Sequence, residues 1–260
     1  MSKISDAFRG KKAFVAYIMA GDPSLEKTRE YVIALQRAGA DVIELGIPFS
    51  DPIAEGETIQ AANLRAFASG TDIEGIFDMV SSLKGEIGVP LLFMTYLNPV
   101  FSYGYGAFFK RCAECGISGV IIPDLPFDES GEVTGYTAAN GIELISLIAP
   151  TSRERIAHIA KQAEGFVYLV SSLGVTGARS EITTDIAALV ASVREHTDIP
   201  IAVGFGVHSP QQVARIWESA DGVIVGSAIV SVIVERGDAA GPFIGEYVRA
   251  LTAAKRLQTK

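Results

Sequence analysis

One carboxylate in the sequence stands where a carboxylate is costly. In Val42-Ile43-Glu44-Leu45-Gly46-Ile47-Pro48, Glu44 interrupts an apolar run that reads as a buried strand. An unpaired carboxylate there must find a partner or take up a proton, and a carboxyl whose pKa is raised in this way is a candidate general acid–base. The structural alternative is a carboxylate pinned by a neighbouring amide or cation. The loop that follows adds Asp51, Glu55 and Glu57. These are hard oxygen donors that could collect a divalent cation, or could simply be solvated, and no second ligand cluster is evident from spacing. A second group is a set of glycines near the C-terminus: Gly174-Val175-Thr176-Gly177, Gly204-Phe205-Gly206 and Gly226-Ser227. Glycine lets backbone amides approach an anion closely, so the ordered set fits a phosphate site, although any one of them is explained by turn geometry. Two further polar residues lie at the end of a strand or within one. Asp124, in Ile121-Ile122-Pro123-Asp124-Leu125-Pro126, can hydrogen-bond a substrate or cap a loop, and Tyr168, in Phe166-Val167-Tyr168-Leu169, can do the former or simply pack. Glu143 opens its strand instead of closing it and reads as structural or solvated. The two cysteines, Cys112 and Cys115, have the spacing of a redox pair or half a metal site, but two thiols do not fill a tetrahedral site, and their helical spacing with Phe108 and Phe109 reads as packing.

Eight short β-branched runs must hold these groups: Ala13–Ala20, Val42–Pro48, Leu91–Leu97, Gly119–Pro123, Glu143–Ile148, Phe166–Val170, Ile201–Phe205 and Gly222–Val225. None alternates cleanly between apolar and polar, as expected of strands covered on both faces. Longer amphipathic stretches separate them. Ser24 can cap Leu25–Arg37 with Gly39 beyond its end, Ser152 can cap Arg153–Ala163 with Gly165 beyond, and Ser209-Pro210 opens another helix. The gap between the second and third strands holds two helical patterns, Thr58–Ala68 and Asp72–Lys84, while Ile4–Phe8 and Phe243–Leu257 can plug or flank the ends. The pattern predicts an α/β fold, a single (β/α)₈ TIM barrel over residues 1–260 with extra helices at the N-terminus and after the second strand, with an open doubly wound sheet as the alternative. In a barrel, reacting groups sit at the C-terminal ends of strands, which is where Glu44, Asp124 and the glycines fall.

A length of 260 residues suits one large barrel, and 48% apolar content supplies its core. A net charge of −8 argues against a surface built for nucleic acid or anionic lipid. The N-terminal stretch has no apolar signal region, and the longest uncharged apolar run, Gly222 to Val234, is too short to span a bilayer, so the chain reads as soluble and cytoplasmic.

Taken together, ELGIPFSDPIAEG followed by TIQAANLRA, then MTYLNPVF, IIPDLP, YLVSSLGVTGAR, VGFGVHSP and VIVGSAIV, resemble the α subunit of tryptophan synthase. The likeness runs from Ala20-Gly21-Asp22-Pro23 to Ser227 in order. It implies a retro-aldol cleavage of indole-3-glycerol phosphate to indole and glyceraldehyde 3-phosphate, with neither metal nor organic cofactor in this chain. By the family pattern Glu44 is the acid–base, Tyr168 stands near the reaction centre, and Phe205 helps sandwich the indole. Asp124 and Thr176 would contact the substrate, and Gly177, Gly206, Gly226 and Ser227 would hold its phosphate. Arg179 would belong to a lid. Asp51-Pro52 and Asn98-Pro99 match loops that meet a β subunit in an α₂β₂ complex, and pyridoxal phosphate is expected only in that partner. One departure stands out: where family members carry Asp within D-G-P, this sequence has Glu55-Gly56-Glu57. The extra methylene shifts the carboxylate by about 1 Å, and loss of proline frees the backbone, so low activity of the isolated chain is expected. Three other readings fit the residues: a stand-alone indole-glycerol-phosphate lyase, a catalytically impaired α-like subunit that activates a β subunit, and another phosphate-sugar barrel enzyme using Glu44 and Asp124 as its acid–base pair.

Overall fold

All eight expected strand positions carry strand in the computed structural model, which describes residues 3–150, 153–170, 185–204 and 206–254. The strands are β1 Ala13–Met19, β2 Val42–Gly46, β3 Leu91–Met94, β4 Gly119–Ile121, β5 Glu143–Leu144, β6 Ser146–Ile148, β7 Val167–Val170, β8 Ile201–Gly204 and β9 Gly222–Val225. All pairings are parallel, in the order β5-β4-β3-β2-β1-β9-β8-β7-β6. The two ends of that order, β5 and β6, are consecutive in the chain and separated by Ile145 alone. The sheet is therefore a nearly closed barrel, and the open doubly wound alternative, which needs a reversal of strand order, is overturned. Nine segments appear instead of eight because the run Glu143–Ile148 changes partner midway. Its first half pairs with β4 and its second with β7, while the Ile145 side chain is buried among the inward-facing residues.

Helices α1 Lys3–Asp6, α2 Leu25–Arg37, α3 Glu57–Ala68, α4 Ile73–Ser82, α5 Leu97–Tyr103, α6 Tyr105–Cys115, α7 Gly131–Asn140, α8 Arg153–Ala160, α9 Ile186–Arg194, α10 Pro210–Ser219, α11 Ser227–Arg236 and α12 Ala240–Thr252 accompany the strands. Their ends follow local chemistry. Ser24 Oγ accepts the Lys27 N–H, and Ser209 and Gln212 form a reciprocal capping box that spans Pro210 at the first helical position. The Ser152 cap lies outside the described residues. The run Leu91–Leu97 ends as a strand at Met94, and Leu97 instead opens α5, with Pro99 inside the first turn, where a missing N–H costs nothing.

The core has an outer layer between strands and helices and an inner one inside the barrel. Ile4 and Phe8 close the floor of the inner layer: a Cβ on Gly222 would lie 2.6 Å from the Phe8 ring, so that strand position has room only for glycine. Trp217 of α10 donates to the Ala13 carbonyl at 3.1 Å and fastens the helical layer to β1. With the floor plugged, the inner layer can open only at the C-terminal ends of the strands.

Candidate active site

A cleft lies at those strand ends, lined by Tyr17, Glu44, Glu55, Ile59, Met94, Leu147, Tyr168, Gly206, His208, Ile224, Gly226 and Ser227 among others. Glu44 and Tyr17 are register partners on β2 and β1, so their side chains leave the sheet on the same face. Glu44 is 1% exposed and neither carboxyl oxygen has a hydrogen-bond partner. Burial, reinforced by the nearby Glu55 carboxyl, pushes its pKa up to about 8. This is the uncompensated carboxyl expected from the sequence; the alternative, pinning by a neighbouring amide or cation, is not what the structure shows.

Glu55 reaches the same cleft from the loop after β2. It is buried, and burial raises its pKa to about 7 even though a hydrogen bond from Asn63 favours the ionised form. Asn63 Nδ2 donates to Glu55 Oε2 at 2.6 Å, and Asn63 Oδ1 accepts the Phe49 N–H at 2.8 Å. Gln60 Nε2 donates to the Glu55 carbonyl at 2.8 Å, and the Tyr96 hydroxyl accepts the Ala54 N–H at 3.2 Å. The loop is thus held along its length. Helix α3 is fixed in turn by Arg65, whose Nε and Nη2 donate to the fully buried Asp22 carboxylate at 2.8 and 2.7 Å. Glu57 is the exposed first residue of α3, where an acidic side chain complements the helix dipole as a proline would suit the backbone.

Tyr168 projects from β7 into the cleft, its ring covering Gly204, where an added Cβ would meet the hydroxyl at 2.8 Å. Opposite, Gly226 precedes the first turn of α11, and Ser227 and Ala228 line the cleft. The first amides of a helix have no intrahelical acceptor, and α11 carries no acidic residue in its first turn, so this end can take an anion. Gly206 holds a left-handed backbone (φ +74°), and its carbonyl lies 2.9 Å from His208 Nδ1. Thr176, Gly177, Arg179 and Phe205 lie outside the described residues.

The remaining acids separate. Asp51 is exposed and accepts from the Ser50 hydroxyl at 2.5 Å, and Glu57 points outward, so the three loop acids do not converge. Among the described residues no group of three or more His, Cys, Asp or Glu is placed to hold a metal. Asp124 Oδ1 accepts the Leu97 N–H at 2.9 Å, tying the loop after β4 to the start of α5 beside the cleft residue Pro123. Cys112 and Cys115 are free and buried in α6. Tyr17, Asn63 and His208 were not singled out from the sequence. Tyr17 carried a usable signal, a lone hydroxyl in the apolar run Ala13–Ala20 beside the strand bearing Glu44.

The family model described as "Tryptophan synthase alpha chain" matches residues 4–253. The chain belongs to the tryptophan synthase alpha chain family. A tryptophan synthase alpha chain of Lacticaseibacillus casei is 46% identical, with all of this chain and 99% of the relative aligned. One of Methanosarcina mazei is 51% identical over 91% of this chain and 88% of that one. Among solved structures, one of Mycobacterium tuberculosis tryptophan synthase is similar with a TM-score of 0.89 at 35% identity, covering 98% of both chains. The tryptophan synthase alpha chain of Legionella pneumophila is similar at 0.86 and 34%, again over 98% of each. The family cleaves indole-3-glycerol phosphate, and membership implies a β-subunit partner. No helix among the described residues is long and apolar enough to cross a membrane.

Proposed function

We propose that this chain cleaves indole-3-glycerol phosphate with Glu44 as the acid–base and Glu55 as the counter-charge to the indole ring. The observation that carries the assignment is the pair of buried carboxyls in one cleft, one of them without any hydrogen bond. Cleavage of the bond between indole C3 and the glycerol chain needs a proton delivered to C3, so that the ring can accept electrons. Glu44, kept neutral by burial up to about pH 8, supplies that proton. Positive charge then spreads to the ring nitrogen, where the Glu55 carboxylate accepts the N–H. The ionised Glu44 takes the proton of the hydroxyl on the carbon bonded to C3 as the carbon–carbon bond breaks. Its electron pair returns to the ring, indole and the aldehyde separate, and Glu44 is again neutral. With Glu44 neutral and Glu55 ionised in the reactive state, activity rises through the Glu55 titration near 7 and falls through that of Glu44 near 8.

By the family pattern the phosphate is held by Gly226 and Ser227 at the head of α11 together with Gly206 and Gly177. Phe205 sandwiches the indole, Tyr168, Asp124 and Thr176 contact the substrate, and Arg179 belongs to a closing lid. Residues 1–260 act as one barrel domain. The chain works in an α₂β₂ complex whose β subunit carries the pyridoxal phosphate, and a cytoplasmic location accords with amino-acid biosynthesis. The loop carrying Asp51-Pro52 and the first turn of α5, where Asn98-Pro99 lies in helix and not in the loop expected from the sequence, face that partner; both are solvent-accessible and lie near Ile53 and Phe101, which are 74% and 67% exposed. The test is indole release from indole-3-glycerol phosphate with and without a tryptophan synthase β subunit. Slow release that the partner accelerates supports the assignment. Fast release indifferent to the partner points to a stand-alone lyase, and partner activation without release to an impaired α-like subunit.

A further inference from the structure

Three buried side-chain polar atoms among the described residues lack a hydrogen-bond partner: both carboxyl oxygens of Glu44 and the hydroxyl of Tyr17. The mechanism above uses the first two and leaves the third without work, although burying a hydroxyl unpaired costs stability. Tyr17 is 5% exposed and lines the cleft. Its ring runs along the wall between the anion end and the acid pair. A Cβ added at Gly226 would lie 3.2 Å from Tyr17 Cδ1 and 3.3 Å from its Cβ, whereas one added at Gly46, two residues beyond Glu44, would overlap the hydroxyl. A ligand whose phosphate sits at the head of α11 and whose reacting carbon sits at Glu44 must lay the carbons between them along this ring.

In indole-3-glycerol phosphate that stretch carries two hydroxyls. One lies on the carbon joined to the indole and loses its proton to Glu44; the other, on the middle carbon, takes part in no step. We propose that the Tyr17 hydroxyl hydrogen-bonds the middle hydroxyl of the glycerol chain, making the site selective for a hydroxylated three-carbon phosphate. The inference rests on the lyase reading and deepens it. Burial, then the fields of Glu55 and Glu44, hold the Tyr17 pKa well above its ordinary value, so the phenol keeps its proton and can both donate and accept. The ring packs among Met19, Ile59, Ala62 and Val230, so removing the oxygen alone leaves the packing in place.

The experiment compares the chain and its Tyr17→Phe variant, each with the β subunit, on indole-3-glycerol phosphate and on the analogue lacking the middle hydroxyl. Either single change should lower kcat/KM by about 5- to 10-fold, and the two together should cost no more than one, because each deletes the same hydrogen bond. The pH profile should be unmoved. Multiplicative losses would overturn the inference, as would a shifted pH profile, which would show Tyr17 acting through Glu44. Failure of the unaltered chain to release indole from either compound would overturn the lyase reading and this inference with it. Release by that chain with multiplicative losses would overturn the inference alone.

Discussion

Replacing Glu44 by Gln should stabilise the protein at alkaline pH and leave it nearly unchanged at acidic pH. Burial raises the Glu44 carboxyl from 4.5 to about 8. Between those values the folded chain holds a proton that the unfolded chain has released, so stability falls as pH rises, and the loss is complete once the folded group ionises. A shift of this size corresponds to roughly 5 kcal/mol. Glutamine has the shape of the neutral acid and never ionises, so the variant escapes this loss, while the Glu55 contribution remains in both proteins. For a chain of this length the difference amounts to roughly 10–20 °C in melting temperature at about pH 9, and little at about pH 5. Trp217, the one tryptophan and fully buried, reports the transition by fluorescence. A difference in melting temperature that stays constant across this pH range would refute the reasoning, because it would mean that Glu44 titrates alike in both states.

Three further outcomes follow from the same contacts. Asn63→Ala removes the bond that favours ionised Glu55, so the acid limb of the pH–rate profile should move to higher pH, as read from kcat/KM against pH. Gly226→Ala places a methyl 3.2 Å from the Tyr17 ring at the head of α11, and should raise KM for the phosphate substrate by about 10-fold while lowering kcat less. Arg65→Met strands the Asp22 carboxylate, which is 0% exposed, and should cost about 3 kcal/mol in denaturant unfolding.

The barrel was legible because its strands, covered on both faces, carry unbroken apolar runs, and because Ser24 and Ser209 cap the helices they precede. The change of partner at Ile145 was not legible, since it is set by closure of the sheet and not by any residue preference. Nor was α5, because Leu91–Leu97 holds no charge, glycine or proline, and nothing in the run marks where pairing stops. Glu44 announced itself as a charge in an apolar strand. Asn63 did not: its bond to Glu55 spans a loop and a helix turn, and only the folded backbone brings the two together. Asp124 shows the converse, a polar residue expected at a strand end that lies in the turn after β4, and whose Oδ1 accepts the N–H of Leu97 at the start of α5. Tyr17 needed the register of β1 on β2 before its hydroxyl could be placed beside Glu44.

The central claim is that one buried carboxyl moves the proton that breaks the substrate. It is tested most directly by the rate of indole release from indole-3-glycerol phosphate for the chain and for Glu44→Gln, with binding of an uncleavable phosphate analogue measured in parallel. The account predicts a fall in kcat on the order of 10²- to 10⁴-fold with analogue binding retained. Release by the Gln variant within about 10-fold of the unaltered chain would contradict it.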